Sequence, residues 1–174
     1  MNYFSLFKIP KNFKIDEKLL SKNFYKLQSQ FHPDLFINDS EVKKKIILEK
    51  SIQINKGYAT LKNFLNRAIY FLFLNGFEIK RETILLENNS FLMKYFSLYE
   101  ELDDLKKNNF NKKHLDDFIE KIEKKITNYK NEIEMKFENK KYEEVIPIIA
   151  KFLFFKKIRD NLKKEYNIFL RRID

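Results

Sequence analysis

The side chains with most capacity for chemistry in this chain are His32 and Asp34, set on either side of Pro33, together with the only other histidine, His114. An imidazole beside a carboxylate could act as a general base or supply two metal ligands. Neither chemistry survives counting. A hydrolytic triad needs a nucleophile held by a base and an orienting group, and a catalytic zinc site needs about three protein ligands. His114 is expected in a different domain, and nothing near residues 32–34 completes a set. The chain has no cysteine, which excludes a disulfide framework, a thiolate nucleophile and a cysteine-ligated metal. With only 2 glycines it also offers no glycine-rich phosphate loop. We therefore expect no catalytic residue, no metal site and no cofactor, and read the chain as a binding protein rather than an enzyme.

The elements around His32-Pro33-Asp34 explain how it would be presented. Asp16 is placed to cap a helix running to about Phe31, whose Leu20, Phe24, Leu27 and Phe31 form an apolar stripe. Pro33 stops that helix by disfavouring the helical conformation at His32 and removing a backbone donor. After a loop to Asn38, the pair Asn38 and Glu41 is spaced like a variant capping box. It would open a long helix to about Lys62, with Val42, Ile46, Ile52, Tyr58 and Leu61 among its apolar positions. The result is an antiparallel helix pair with the loop at its tip. A shorter helix, about Asn66 to Leu74, ends at Gly76, which suits the left-handed position after a helix C-terminus.

Residues 77–89 form a mixed polar stretch and the best linker candidate. Beyond them lie three helical patterns. One runs from about Ser90 to Lys107 with Phe91, Tyr95, Leu98, Leu102 and Leu105 in register. The next starts near Asn111 and carries Leu115, Phe118, Ile122, Ile126, Tyr129, Ile133 and Phe137. The last spans about Lys141 to Arg171, apolar from Val145 to Phe155 and then at Ile158, Leu162, Tyr166 and Phe169, with Pro147 expected to start or kink it. Such stripes need a mutual core, so an antiparallel three-helix bundle is expected. The fold class is all-α, divided as residues 1–76, a linker at 77–89, and a bundle over 90–174.

The net charge of +10 is carried by 30 Lys and 5 Arg in a chain also rich in Asn, Ile and Phe, all with AT-rich codons, so nucleotide bias alone could supply much of it. Position is more informative. Residues 1–75 hold 13 basic and 6 acidic side chains, against 22 and 19 in the rest, so the positive excess lies in the N-terminal part, where it could speed encounter with an acidic partner. Residues 1–10 lack a secretory leader pattern. The longest apolar run, Ala68 to Leu74, is far short of the roughly 18 to 20 residues that span a bilayer. A cytoplasmic, membrane-free location is expected.

His32-Pro33-Asp34 between a lysine-bearing helix and a long second helix resembles the signature of J domains. Its surroundings make the resemblance specific: Tyr3-Phe4 and Leu6-Phe7 in a short first helix, Pro10 after it, and the run Asn55-Lys56-Gly57-Tyr58-Ala59-Thr60-Leu61. The remainder of the chain is similar to one J-domain family, the HscB iron–sulfur co-chaperones, through Arg67-Ala68, Tyr70 to Leu72, Asn75-Gly76-Phe77, Phe91-Leu92-Met93 and Glu100-Glu101-Leu102-Asp103. The likeness covers essentially the whole chain. It implies an N-terminal J domain that stimulates the ATPase of the DnaK-class chaperone HscA, and a C-terminal bundle that delivers the cluster scaffold IscU to it. The cluster would stay on the scaffold, since this chain has no cysteine to hold it.

The same resemblance implies which residues meet each partner. His32, Pro33 and Asp34 would contact the chaperone, helped by Lys18, Lys22 and Lys26, which recur every fourth residue as a positive stripe leading to the loop. On the helix from Ser90, the 91/95/98/102 stripe leaves Leu92, Met93 and Phe96 on an adjacent face ending in Glu100, Asp103 and Asp104. The residues alone fit a wide buried face better than an exposed patch with an acidic rim. The resemblance implies the patch: Leu92, Met93, Phe96, Glu100, Asp104 and Phe154 match the family's scaffold-binding surface. The chain departs from the family pattern there, with Ser97 for an acidic residue, Tyr99 for a basic one and Phe96 for leucine. A basic helical nucleic-acid-binding protein is the alternative. Lysine supplies phosphate affinity, but arginine is scarce and no zinc finger, basic zipper or helix-turn-helix pattern is evident.

Overall fold

The computed structural model describes residues 2–77, 89–107 and 112–173. Its described residues are helical with no strand, and the chain divides into two compact units, Met1–Gly76 and Phe77–Asp174. Apart from Phe77 and Asn89, the stretch expected as a linker lies outside the described residues.

The first unit opens with the short helix α1 (Tyr3–Leu6), capped by Asn2, whose side chain accepts from the Ser5 amide at 2.9 Å. It delivers Phe4 and Phe7 into the core, where both are essentially inaccessible. Helix α2 (Glu17–Phe31) starts as expected at Asp16, whose carboxylate accepts from the amides of Lys18 and Leu19 at 2.9 and 3.0 Å. Of its apolar stripe only Leu20 is buried; Phe24, Leu27 and Phe31 are half-buried, because among the described residues of this unit the hairpin narrows toward its tip to two helices. His32 is extended (φ −67°, ψ 129°), and Pro33–Phe36 forms a single 3₁₀ turn.

Helix α3 (Glu41–Lys62) corrects the expected capping box. The cap is Ser40, whose hydroxyl accepts from the Lys43 amide, and Glu41 is the first helical residue rather than the third. The 3₁₀ turn extends to an Asp39 amide bonded to the Phe36 carbonyl at 3.0 Å, so Asn38 is still inside the turn and cannot cap. Of the apolar positions noted on α3, Leu61 is buried and Tyr58 half-buried, while Val42, Ile46 and Ile52 are exposed; the core face is instead Ile47, Ser51, Ile54, Gly57 and Leu61. Asn63 ends α3 and caps α4 (Phe64–Phe73), accepting from the Asn66 amide at 3.0 Å, so α4 begins two residues earlier than expected. Gly76 comes after α4 in the left-handed region at φ 88°, as its sequence position predicts.

The second unit contains α5 (Asn89–Lys107), α6 (Lys112–Glu138) and α7 (Tyr142–Ile173). The stripe predicted on α6 is its buried face: Leu115, Phe118, Ile122, Ile126, Ile133 and Phe137 are all buried, with Tyr129 half-buried against the Phe155 ring. From α7 come Val145, Ile148, Ile149, Phe152, Phe155, Ile158 and Leu162, and from α5 come Leu98 and Leu102. The Glu101–Lys121 ion pair joins α5 to α6, and the Tyr99 and Phe154 rings join α5 to α7, so the three helices form the expected antiparallel bundle. Pro147 does not start the last helix. It lies within it, five residues after Tyr142, where the missing amide forfeits only the bond to the Glu143 carbonyl.

One close approach fixes α1 on α3. A Cβ built at Gly57 would lie 2.8 Å from the Tyr3 ring and 3.1 Å from the Phe7 ring. Tyr3 has little room to retreat, since it stacks on Tyr70 at 4.7 Å and its amide donates to the Tyr70 hydroxyl at 2.9 Å. Burial in that contact raises the Tyr70 pKa above the ordinary tyrosine value. Gly57→Ala gains about 1 kcal/mol of helix propensity, against an overpacking cost of about 1–3 kcal/mol. We expect a net loss of stability, read as a lower melting temperature; an unchanged or higher one would show that α1 yields.

Candidate partner-binding surfaces

The first surface is built by the α2–α3 hairpin. Its two helices are locked in register by Tyr58, whose ring stacks on Phe24 at 3.9 Å and 10° and whose hydroxyl lies 3.2 Å from that of Ser21. That hydrogen bond is the main reason the Tyr58 pKa falls below the ordinary tyrosine value. Gln28 donates to Asn55 one turn nearer the tip, and Asn23 reaches back to the Phe7 carbonyl at 2.7 Å. Sequence reading placed Tyr58 on the helix but missed this role, for which a tyrosine facing serine and phenylalanine partners on another helix leaves no local signal.

At the tip, His32 caps the 3₁₀ turn. Its Nδ1 accepts from the Asp34 amide at a long 3.4 Å and stands 3.5 Å from the Asp34 carboxylate. The two contacts are alternatives, because Nδ1 accepts when bare and can only donate when protonated. Both side chains are open to solvent, 51% for His32 and 77% for Asp34. The loop is thus an exposed, weakly self-bonded acid–imidazole pair rather than an organised catalytic site. Leu35 and Ile37 beside it are exposed at 62% and 63%, apolar area that a partner could cover.

Lys18, Lys22 and Lys26 are all exposed, and among the described residues none is in an ion pair. Their charge is therefore not neutralised inside the fold. Other lysines of this hairpin are occupied: Lys43 with Asp39, Lys44 with Glu41, and Lys50 over the Phe31 ring at 3.8 Å.

The second surface lies on α5 and α7. Phe96 is 66% exposed although Leu98 and Leu102 on the same helix are buried. Glu100 and Asp104 come after it at successive i+4 steps and are also exposed. The side chains of Leu92 and Met93 lie outside the described residues. Among the three neighbouring phenylalanines of α7, Phe152 and Phe155 are core while Phe154 is half-buried, its ring edge-on to Tyr99 at 5.9 Å. Phe154 and the Phe96 helix are thus brought together through Tyr99, one of the residues at which the chain departs from the family pattern. His32 is in the first unit and His114 in the second.

Comparison with known proteins bears on both surfaces. A protein from Buchnera aphidicola subsp. Acyrthosiphon pisum described as co-chaperone protein HscB is 69% identical over all 174 residues, covering the whole of both chains. The chain belongs to the HscB co-chaperone family. A homolog from Aliivibrio salmonicida is 34% identical over 164 residues, 94% of this chain and 96% of that one. Residues 87–163 match the family model described as the HSCB C-terminal oligomerisation domain. The structure of chaperone HscB from Vibrio cholerae superposes with a TM-score of 0.87 at 31% identity, covering 96% of this chain and 98% of that one. Human co-chaperone HscB gives 0.85 at 26%, covering 95% and 82%.

The contrast between Phe96 and Leu98 yields a direct test of which face of α5 is core. Leu98→Ala should destabilise the bundle by about 2–5 kcal/mol, whereas Phe96→Ala, mostly solvated already, should cost about 0.5 kcal/mol or less. Denaturant melts of the two variants measure this; equal losses would contradict the exposed position of Phe96.

Proposed function

We propose that this protein is a co-chaperone of iron–sulfur cluster assembly, which stimulates the ATPase of the DnaK-class chaperone HscA and delivers the scaffold IscU to it. The observation that carries the reading is the solvent-open His32-Pro33-Asp34 at the tip of a registered helical hairpin, in a chain matched end to end by co-chaperones. In this reading residues 1–76 act on the chaperone through that loop and through Lys18, Lys22 and Lys26. Residues 90–174 hold the scaffold through Leu92, Met93, Phe96, Glu100, Asp104 and Phe154, and residues 77–89 link the two.

The physical logic is that of an adaptor. ATP hydrolysis is the partner's reaction, and the loop favours the partner conformation competent for it, which requires differential affinity for that conformation. Tethering the scaffold to the same chain raises its effective concentration at the chaperone. The protein itself performs no bond-making step, and no cofactor enters the reading. In this reading it works in the cytoplasm, a reducing compartment that a cysteine-free chain suits; no helix among the described residues is long and apolar enough to cross a membrane.

Two outcomes test the N-terminal half of the reading with purified chaperone, with and without scaffold. Asp34→Asn should keep wild-type helicity and scaffold binding while losing most ATPase stimulation; wild-type stimulation by a folded variant refutes the role given to the loop. Lys22→Glu with Lys26→Glu should slow chaperone association by about tenfold or more at low ionic strength and by less at high salt, because exposed charges steer encounter and salt screens them. Stopped-flow rates that do not differ from wild type at low salt would return these lysines to an ordinary solvated face.

A further inference from the structure

The 3₁₀ turn that presents His32, Pro33 and Asp34 also presents apolar area that the N-terminal unit leaves in solvent. Phe36 holds the turn onto α3, half-buried and with the Lys43 ammonium over its ring at 5.3 Å. The residues on either side of it, Leu35 and Ile37, are more than half exposed, and Val42 and Ile46 in the first two turns of α3 are 72% and 58% exposed. Val42 and Ile46 are i,i+4 neighbours and so share one face of that helix. The turn itself is closed by its backbone: the Leu35 amide donates to the His32 carbonyl at 3.1 Å and the Asp39 amide to the Phe36 carbonyl at 3.0 Å. Neither the Leu35 nor the Ile37 side chain is needed to form it.

Removing such aliphatic area from water is favourable, and a group of exposed apolar side chains beside a polar loop marks an interaction surface. Position decides what covers it. Leu35 directly follows Asp34 within one turn, so a surface that receives the Asp34 carboxylate also lies over Leu35. The polar groups of the hairpin cannot by themselves hold a partner for long. Exposed ion pairs contribute little to affinity, and Lys18, Lys22 and Lys26, without ion pairs among the described residues, act mainly on the rate of encounter. Apolar contact at the tip is the remaining source of residence.

We propose that Leu35 and Ile37, extended by Val42 and Ile46, are the apolar anchor of the complex with the chaperone, which offers an apolar depression beside the group that receives Asp34. In this division of labour the lysines set how often the complex forms and the anchor sets how long it lasts. The proposal rests on the chaperone reading given above and adds to it the residues that determine affinity.

The test titrates purified HscA with the full-length chain at low and high salt, reading ATPase stimulation together with association and dissociation rates. The chains are wild type, Leu35→Ser with Ile37→Ser, Leu35→Met with Ile37→Leu, and Asp34→Asn. The serine variant should need about tenfold more protein for half-maximal stimulation yet reach the wild-type maximum, with the loss appearing as faster dissociation. Its defect should persist at high salt, because ions screen charges and leave apolar contact intact. Its thermal midpoint should not fall, since both side chains are already solvated, and the methionine–leucine variant should restore wild-type affinity. Collapse of the serine variant's maximal stimulation at saturation would make these side chains positioning elements for Asp34 and overturn the anchor. Wild-type chaperone kinetics combined with lost self-association in sedimentation would assign the patch to a second copy of this chain and overturn it too. If Asp34→Asn abolishes stimulation while the serine variant dissociates like wild type, the anchor fails and the chaperone reading stands. If Asp34→Asn and the serine variant both behave as wild type, the chaperone reading fails and the anchor with it.

Discussion

Pro33 is the constraint around which the N-terminal unit is organised. A proline inside a helix removes a backbone hydrogen bond and crowds the preceding turn, and it disfavours the helical conformation at the residue before it. His32 is accordingly extended, and Pro33 becomes the first residue of a 3₁₀ turn. That turn uses up residues to Asp39 before Ser40 can cap α3, which sets the length of the tip and the point from which the chain returns along α2. Pro33, with the His32 and Ser40 caps on either side of the turn, joins the two helices by a short exposed loop, and it sits between the two side chains proposed to meet the chaperone.

A loop at the end of two helices is only as well placed as their register. Tyr58, stacked on Phe24 and paired with Ser21, fixes that register part-way along the hairpin, and Gln28 with Asn55 fixes it nearer the tip. At the base, α1 closes over Gly57, and Arg67 is buried with its guanidinium 2.6 Å from the Leu61 carbonyl and 5.2 Å from the Phe13 ring. A buried cation of this kind fixes a corner through a charged hydrogen bond and ring contact rather than through apolar area alone. The rigid part of the unit is its base, where the fully buried side chains lie, and the tip has only half-buried neighbours.

The sequence was most legible where one periodicity has one explanation. The α6 stripe from Leu115 to Phe137 predicts its buried face residue by residue, and the Asp16 cap and Gly76 terminator fall where their chemistry requires. It was least legible on α3, where apolar residues occur on both flanks: Val42, Ile46 and Ile52 look as core-like as Ile47 and Ile54, and only the positions of α1 and α2 decide among them. The α6–α7 turn shows the same limit, since Lys140 adopts a left-handed φ of 56° that would ordinarily announce itself by glycine or asparagine. For the C-terminal surface, periodicity alone favoured burial of the second α5 face. The exposure of Phe96 supports the opposite, and it was family resemblance, not pattern, that pointed there.

Charge also reads differently at the two scales. The net +10 is compatible with nucleotide bias and by itself names no partner. More telling is which charges the fold leaves unneutralised. On α2 they are lysines, aligned on one face and without ion pairs among the described residues; on α5 and α6 they are carboxylates around a groove whose one lysine is already taken. Opposite charges on the two units suit the adaptor proposed above, because a partner complementary to one surface would be repelled by the other, and like-charge contact is a direct way to keep two partners from exchanging sites.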